Sequence, residues 1–232
     1  MARLLRLARD HPRYGYRRAW AMLRGEGWAV NRKRVHRLWR EAGLQVPQKT
    51  RKRRRVAGAV SGEHSTVRLA PERPNHVWAY DFVFDATEDG RALKVLTVLD
   101  EYTRECLALV VGRSLTSCHV VGTLGRLVGE RGAPDFVRSD NGGEFIAHRV
   151  AAYLLTTEVD AKHIDPGAPW QNGYSESFNG KLRDELLSQE LFATLSEARV
   201  LTEQWRRHYN ESRPHSALGY LAPAAYAASL IP

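Results

Sequence analysis

The sequence predicts an α/β protein, one mixed five-stranded sheet flanked by helices, preceded by a small all-helical unit. Three observations carry that expectation. Residues 76–111 hold three runs rich in Val, Leu, Phe, Trp and Tyr, separated by turn signals. From residue 114 onward, stretches with helical spacing alternate with short apolar runs. Before residue 47 only helical patterns occur, broken at His11-Pro12 and at Gly25-Glu26-Gly27.

The helical unit is expected over 1–46. One helix runs to Asp10, and a second spans 15–24 with Trp20 and Leu23 facing inward. A third starts at Asn31 as N-cap, buries Val35, Leu38 and Trp39, and exposes Arg32, Lys33, Arg34, Arg37 and Arg40. Gly43 ends it. Short helices joined by a Gly turn, the later one rich in Arg, suit a helix-turn-helix on DNA. A basic three-helix bundle without groove contacts is the plainer alternative.

Residues 47–74 read as a basic flexible linker. Arg51, Lys52, Arg53, Arg54 and Arg55 form a like-charge block that cannot bury itself, and it is expected to meet a DNA backbone without reading bases. The α/β core is expected over 75–190. It holds strands at 76–87, 93–99 and 106–111, a helix at 114–131, a strand at 135–139, a helix at 145–155 and a strand at 159–164. A loop at 165–171 then leads into one helix over 172–191. The C-terminal segment, 191–232, adds a helix over 196–209 and a short tail. Three antiparallel strands followed by helix, strand, helix, strand and helix is the order of a ribonuclease-H-like fold.

Charge is distributed unevenly along the 232 residues. The net is +9, but residues 1–74 hold 20 Lys and Arg against 5 Asp and Glu, while 75–232 hold 15 against 21. The front half is therefore +15 and the remainder −6. Phosphates reward clustered Arg through counterion release, so nucleic acid is the favoured partner over a merely solvated surface. Cys106 and Cys118 are too few for a disulfide framework or a four-ligand zinc site, and both read as small core residues. No apolar run reaches the roughly 18 residues of a membrane span. The protein reads as cytoplasmic, with no membrane partner.

Three acids in three settings stand out: Asp81 in Trp-Ala-Tyr-Asp, Asp140 in Ser-Asp-Asn-Gly-Gly-Glu-Phe, and Glu176 in Gly-Tyr-Ser-Glu-Ser-Phe-Asn-Gly. An Asp amid Trp, Tyr, Phe and Val is costly to bury without a partner. Asp140 alone could be a turn-capping residue, and Glu176 alone a solvent-facing one. Placed mid-way along the first strand, just past the fourth and at the start of the helix after the fifth, the three can converge. Magnesium is held by few carboxylates plus substrate phosphate oxygens, and two such ions ~3.5–4 Å apart clamp an in-line displacement. Arg183 lies seven residues beyond Glu176 on the same helix face, where it can grip a DNA phosphate or pair with the Glu itself. Lys181 points round from that face toward the DNA backbone elsewhere. Asn141 either orients Asp140, contacts DNA or serves the local turn. Trp170, Gln171 and Asn172 lie at the mouth of the loop, and the histidines read as structural.

These segments together resemble the DDE recombinases, and within them the insertion-sequence-three family of bacterial transposases. His11-Pro12-Arg13-Tyr14-Gly15-Tyr16-Arg17-Arg18 is similar to that family's helix-turn-helix. The stretches around Asp81 and Asp140, and residues 169–183, are similar to its integrase core. Tyr209-Asn210, Arg213-Pro214-His215, Leu218-Gly219-Tyr220 and Pro223 are similar to its closing motif. The resemblance implies a Mg²⁺-dependent catalytic subunit, with Mn²⁺ as a substitute and two ions per site, held by Asp81, Asp140 and Glu176. It implies cleavage that frees a 3′-hydroxyl at the element end, followed by strand transfer at the same site. It also implies double-stranded DNA partners (element ends and target), a homo-oligomer on DNA, and an upstream-frame protein that supplies end recognition. Two further readings compete with it: a non-catalytic DNA-binding fragment that regulates full-length transposase, and a nuclease acting on RNA–DNA hybrids.

Overall fold

The computed structural model describes residues 1–46, 69–139, 148–163 and 172–230. It divides the chain into two compact units, Met1–Ala70 and Pro71–Pro232.

In the first unit, three helices, α1 (Ala2–Asp10), α2 (Tyr16–Gly25) and α3 (Arg32–Glu41), close around Leu4, Leu7, Ala19, Leu23, Val35 and Trp39. Asn31 caps α3 as its residue type predicts: the extended backbone lets its Oδ1 accept from Lys33 N–H at 2.8 Å. Gly43, at φ 65°, takes the left-handed turn after α3 that a side chain would resist. Trp20 is only half-buried, because its indole N–H must reach the Val30 carbonyl at 3.0 Å. The basic block Arg51–Arg55 of the expected linker lies outside the described residues.

In the second unit, β1 (Val77–Ala86), β2 (Ala92–Asp100) and β3 (Cys106–Gly112) form an antiparallel meander. β4 (Phe136–Ser139) and β5 (Asp160–His163) add in parallel, giving the sheet order β3-β2-β1-β4-β5. Period-2 alternation gives the sheet two apolar faces. One, with Trp78, Tyr80, Leu96 and Val98, packs under α4 (Ser117–Arg131) and α5 (His148–Thr156). The other, with Val83, Leu93, Val95 and Leu99, packs under α6 (Gly173–Leu182) and α7 (Leu195–Glu211). Phe178 of α6 meets Trp205 and Tyr209 of α7 edge-on, with ring centroids 5.6 and 5.0 Å apart, so the two helices share one aromatic cluster. Asn210 joins α7 to the sheet edge: its Oδ1 accepts from Cys106 N–H at 2.8 Å and its Nδ2 donates to the Cys106 carbonyl at 2.9 Å.

Three expectations are corrected. The helix expected over 172–191 is α-helical only to Leu182, then becomes a π-helical turn over Arg183–Leu187, where Ser188 N–H reaches the Arg183 carbonyl at 2.8 Å. That turn keeps Leu186 in the core beside Leu182 while Glu185 pairs with Arg213, at 2.6 and 2.7 Å. The short tail is ordered by this buried pair into a 3₁₀ turn (Ser216–Leu218) and α8 (Pro223–Ala228). Cys118 is exposed, not a core residue, because α4 turns Val120, Leu124 and Leu127 inward and leaves position 118 on the far face. Cys106 is buried as expected, and burial pushes its thiol pKa up.

Candidate active site

Asp81 occupies the middle of β1, opposite Thr97 of β2. Alternation puts it on the same face as Ala79 and Val83, the face that α6 covers. Its carboxylate is half-buried and held from two sides. Oδ1 accepts from Phe82 N–H at 2.7 Å, and Oδ2 accepts from Asn179 Nδ2 at 2.7 Å. The Thr97 hydroxyl lies 3.2 Å from the Asp81 carbonyl and 3.5 Å from Asn179 Oδ1, so Thr97 steadies both partners.

Asn179 therefore docks α6 onto the strand position of Asp81. Residues 176 and 179 of α6 and Arg183, its C-cap, share one face by helical spacing. Glu176, in the first turn, is exposed, one turn before Asn179 on that face. Arg183, one turn after it, is exposed and reaches the Phe84 carbonyl at 3.4 Å, three residues along β1 from Asp81. Beyond Ala79 that flank of β1 has no β4 partner, since the pairing of β4 with β1 ends at Ala79↔Arg138. Arg183 thus meets β1 three residues beyond Asp81, past the end of the β4 pairing. Lys181 folds back on its own helix, its Nζ donating to Ser177 Oγ at 2.7 Å and the Ser177 carbonyl at 3.0 Å.

At the start of α6, Asn172 and Ser175 are buried, and among the described residues their Oδ1 and Oγ atoms have no hydrogen-bond partner. Buried orphaned oxygens are expensive and concentrate where a ligand or moving group completes them.

β4 ends at Ser139 and runs parallel to β1, held by a buried ion pair. Arg138 Nη1 donates to both Glu101 carboxylate oxygens at 2.7 Å, with the two side chains 5% and 0% exposed. Next to Glu101, Asp100 accepts from the backbone N–H groups of Asn75, Tyr102 and Thr103 at 2.8, 2.7 and 3.1 Å. Burial nevertheless raises its pKa, outweighing those donors.

Of the residues expected at the site, Asp81, Glu176, Arg183 and Lys181 are described, and the first three lie on elements that Asn179 joins. Asp140, Asn141, Trp170 and Gln171 lie outside the described residues. Among the described residues no three His, Cys, Asp or Glu side chains form a cluster able to hold a metal. Arg32, Lys33, Arg34 and Arg37 are exposed on α3 in the first unit, as expected, with Arg37 3.7 Å from Glu41. His119 is structural as expected, its Nδ1 accepting from Thr116 N–H at 3.1 Å at the start of α4. Asn179 is the residue that sequence reasoning missed. Its signal was there, at i+3 from Glu176 and i−4 from Arg183 on one helix face.

Comparison with known proteins agrees with this architecture. Integrase core domain models match residues 71–169 and 157–223, and an HTH-like domain model matches residues 1–54. The chain is 45% identical over 227 residues to the 31.7 kDa protein of insertion element IS407 from Burkholderia multivorans, covering 98% of this chain and 80% of that one. It is 31% identical over 228 residues to the transposase InsD of insertion element IS2 from Escherichia coli, covering 93% and 73%. The HTLV-2 integrase catalytic core, solved in complex with magnesium, shares the fold with a TM-score of 0.55 at 14% identity, covering 68% of this chain and 99% of that one. No described helix is long and apolar enough to cross a membrane. With an integrase core, an HTH-like domain and relatives of this closeness, the chain belongs to the insertion-element transposases, enzymes of the DDE polynucleotidyl transferase class.

Proposed function

We propose that Asp81, Asp140 and Glu176 form the metal site of this transposase, taking Mg²⁺ with Mn²⁺ as substitute, two ions per site. The reaction is hydrolysis at a DNA element end to free a 3′-hydroxyl, followed by attack of that hydroxyl on a target phosphodiester. The observation that carries this reading is the Asn179–Asp81 hydrogen bond, which ties the α6 face bearing Glu176 to the strand bearing Asp81. The donor set suits a hard cation, since carboxylate oxygens are what Mg²⁺ prefers. The orphaned oxygens of Asn172 and Ser175 beside Glu176 also fit a site that a ligand completes. Bound metal would supply Lewis-acid stabilisation of the attacking and leaving oxygens. The protein's part is orientation. Phe82 N–H and Asn179 fix the Asp81 carboxylate, and Arg183 grips a DNA phosphate beside β1. Asn141 orients Asp140 or meets DNA, and Lys181 meets the backbone further round.

The partners in this reading are duplex DNA at the element ends and at the target. A homo-oligomer assembles on that DNA, and an upstream-frame protein supplies end recognition. The working location is the bacterial cytoplasm, at the nucleoid when DNA is bound. Nicking of supercoiled plasmid with Mg²⁺ or Mn²⁺, comparing the wild-type chain with Glu176→Gln, tests it. Metal-dependent nicking lost in the variant is the expected result. Equal nicking by both proteins, or none by either with DNA still bound, would overturn the assignment.

A further inference from the structure

Glu176 stands in the first turn of a helix that its own sequence holds poorly. α6 contains Gly173, Ser175, Ser177, Asn179 and Gly180, residue types that rank low in helix propensity. Its N-cap, Asn172, makes no side-chain capping hydrogen bond, and a first turn has no intrahelical partners for its N–H groups. The Asn179–Asp81 bond secures α6 only beyond Glu176. A second hold, before Glu176, comes from outside the helix.

Arg104 lies in the turn between β2 and β3. That turn is firmly built. The Asp100 carboxylate accepts from Tyr102 and Thr103 N–H, and the Asp100 carbonyl accepts from Arg104 N–H at 2.9 Å. Tyr102 leans on Tyr226 of α8, with ring centroids 6.3 Å apart. The acids on either side of Arg104 are engaged elsewhere, Glu101 with Arg138 and Glu105 with Arg131 at 3.0 and 3.2 Å. The Arg104 guanidinium lies over the ring of Tyr174, its central carbon 3.6 Å from the ring centroid. Its Nη1 is buried and has no hydrogen-bond partner among the described residues. The negative face of the aromatic ring takes the place of an acceptor. Arg104 holds this position at φ 64°, in the left-handed region that costs a residue with a side chain. Glycine would occupy it without strain, so the arginine is explained by its side chain and not by its backbone.

We infer that Arg104 is a positioning residue of the transposase: stacked on Tyr174, it fixes the start of α6 and so the place of Glu176. Glu176 is thereby bracketed, by Tyr174 before it and Asn179 after it. The inference rests on the metal site proposed above and adds the residue that sets one of its ligands.

Thermal unfolding, backbone amide exchange, Mn²⁺ binding by isothermal titration and plasmid nicking, all on the full chain, test it together. Arg104→Gly removes the guanidinium and relieves the backbone, so its thermal midpoint should stay close to that of the wild type. Its amides over 177–180, which bond back to the first turn, should exchange about 10-fold faster, with those of β1 and α7 unchanged. Mn²⁺ affinity and metal-dependent nicking should each fall about 10-fold, as when a partner that orients a metal ligand is removed. Arg104→Lys keeps a cation over the ring and should recover most of the loss. Tyr174→Leu should reproduce the loss, and Tyr174→Phe, which keeps the ring, should not.

Unchanged exchange or unchanged Mn²⁺ affinity in Arg104→Gly, with wild-type nicking intact, overturns this inference alone. Faster exchange spread evenly over β1, α6 and α7 also overturns it, because that is a loss of global stability. Should Arg104→Gly not fold, the two Tyr174 variants decide, and equal values in both would show that the ring face holds nothing. A wild-type chain that binds no Mn²⁺ and nicks no plasmid overturns the proposed metal site and this inference together.

Discussion

Asn179 donates its side-chain amide to Asp81 Oδ2 at 2.7 Å, across 98 positions of sequence. The bond fixes which face of α6 meets β1, and so the line on which Glu176 and Arg183 stand. Asn179→Ala should lower metal-dependent nicking by about 10–100-fold, the usual cost of removing a partner that orients a metal ligand. Stability should fall by only about 1 kcal/mol, the net worth of one hydrogen bond. Plasmid nicking alongside denaturant unfolding separates the two effects, and a wild-type rate would remove Asn179 from the machinery.

The Glu101–Arg138 pair is almost wholly buried and ties β4 to the turn after β2. Arg138→Met removes the guanidinium that the buried Glu101 carboxylate accepts from and should cost about 3–5 kcal/mol. Combining it with Glu101→Leu should recover most of that loss, because two apolar groups carry no desolvation penalty. Urea unfolding of both variants reads the difference. A single variant as stable as the wild type would show that the pair contributes nothing.

Two thiols in one chain should behave oppositely. Cys106 is buried with its thiol pKa pushed up, whereas Cys118 is exposed on α4. A thiol reagent should modify Cys118 alone in the native protein and both residues once the chain is unfolded. Rapid native modification of Cys106 would contradict the packing of β3 under α7.

Glu203 accepts from Arg206 at 2.7 and 2.8 Å and from Arg207 at 3.0 Å. The Arg206 hydrogen bonds lead in lowering its pKa, from an ordinary 4.5 to about 2. A lowered folded-state value means stability that is full above pH 4.5 and lost as pH falls through about 2. The stability advantage of the wild type over Glu203→Gln should therefore shrink across that window, as followed by thermal unfolding. An advantage that stays constant from neutral pH down to pH 2 would show that the carboxylate gains nothing from its arginines.

Much of the fold was legible in the sequence. The runs that form β1, β2 and β3 alternate and end at turn residues, and α3 announced itself through Asn31 and Gly43. The elements that escaped were decided by distant partners. Nothing local in Arg183–Leu187 signals a π-helical turn, which satisfies Leu186 and the Glu185–Arg213 pair together. Cys118 looked apolar in a run of small residues, but the phase of α4 turned it outward. At the candidate site, residue type and setting singled out Asp81 and Glu176, which the structure places on β1 and in the first turn of α6. Asn179 was passed over because an Asn in a helix has many local uses, and only the sheet reveals this one.

By itself the sequence determined the order of strands and helices and the basic front half, and it singled out the three acids as candidates. Those follow from periodicity, turn chemistry and charge, which act over a few residues. Only the tertiary structure decided which helix face meets Asp81 and where Arg183 stands. It alone paired Arg138 with Glu101 and drew the tail in through Arg213. Each of these depends on which buried polar group finds a partner far along the chain, and that selection is made by packing, where an unpaired group in the core is too costly to keep.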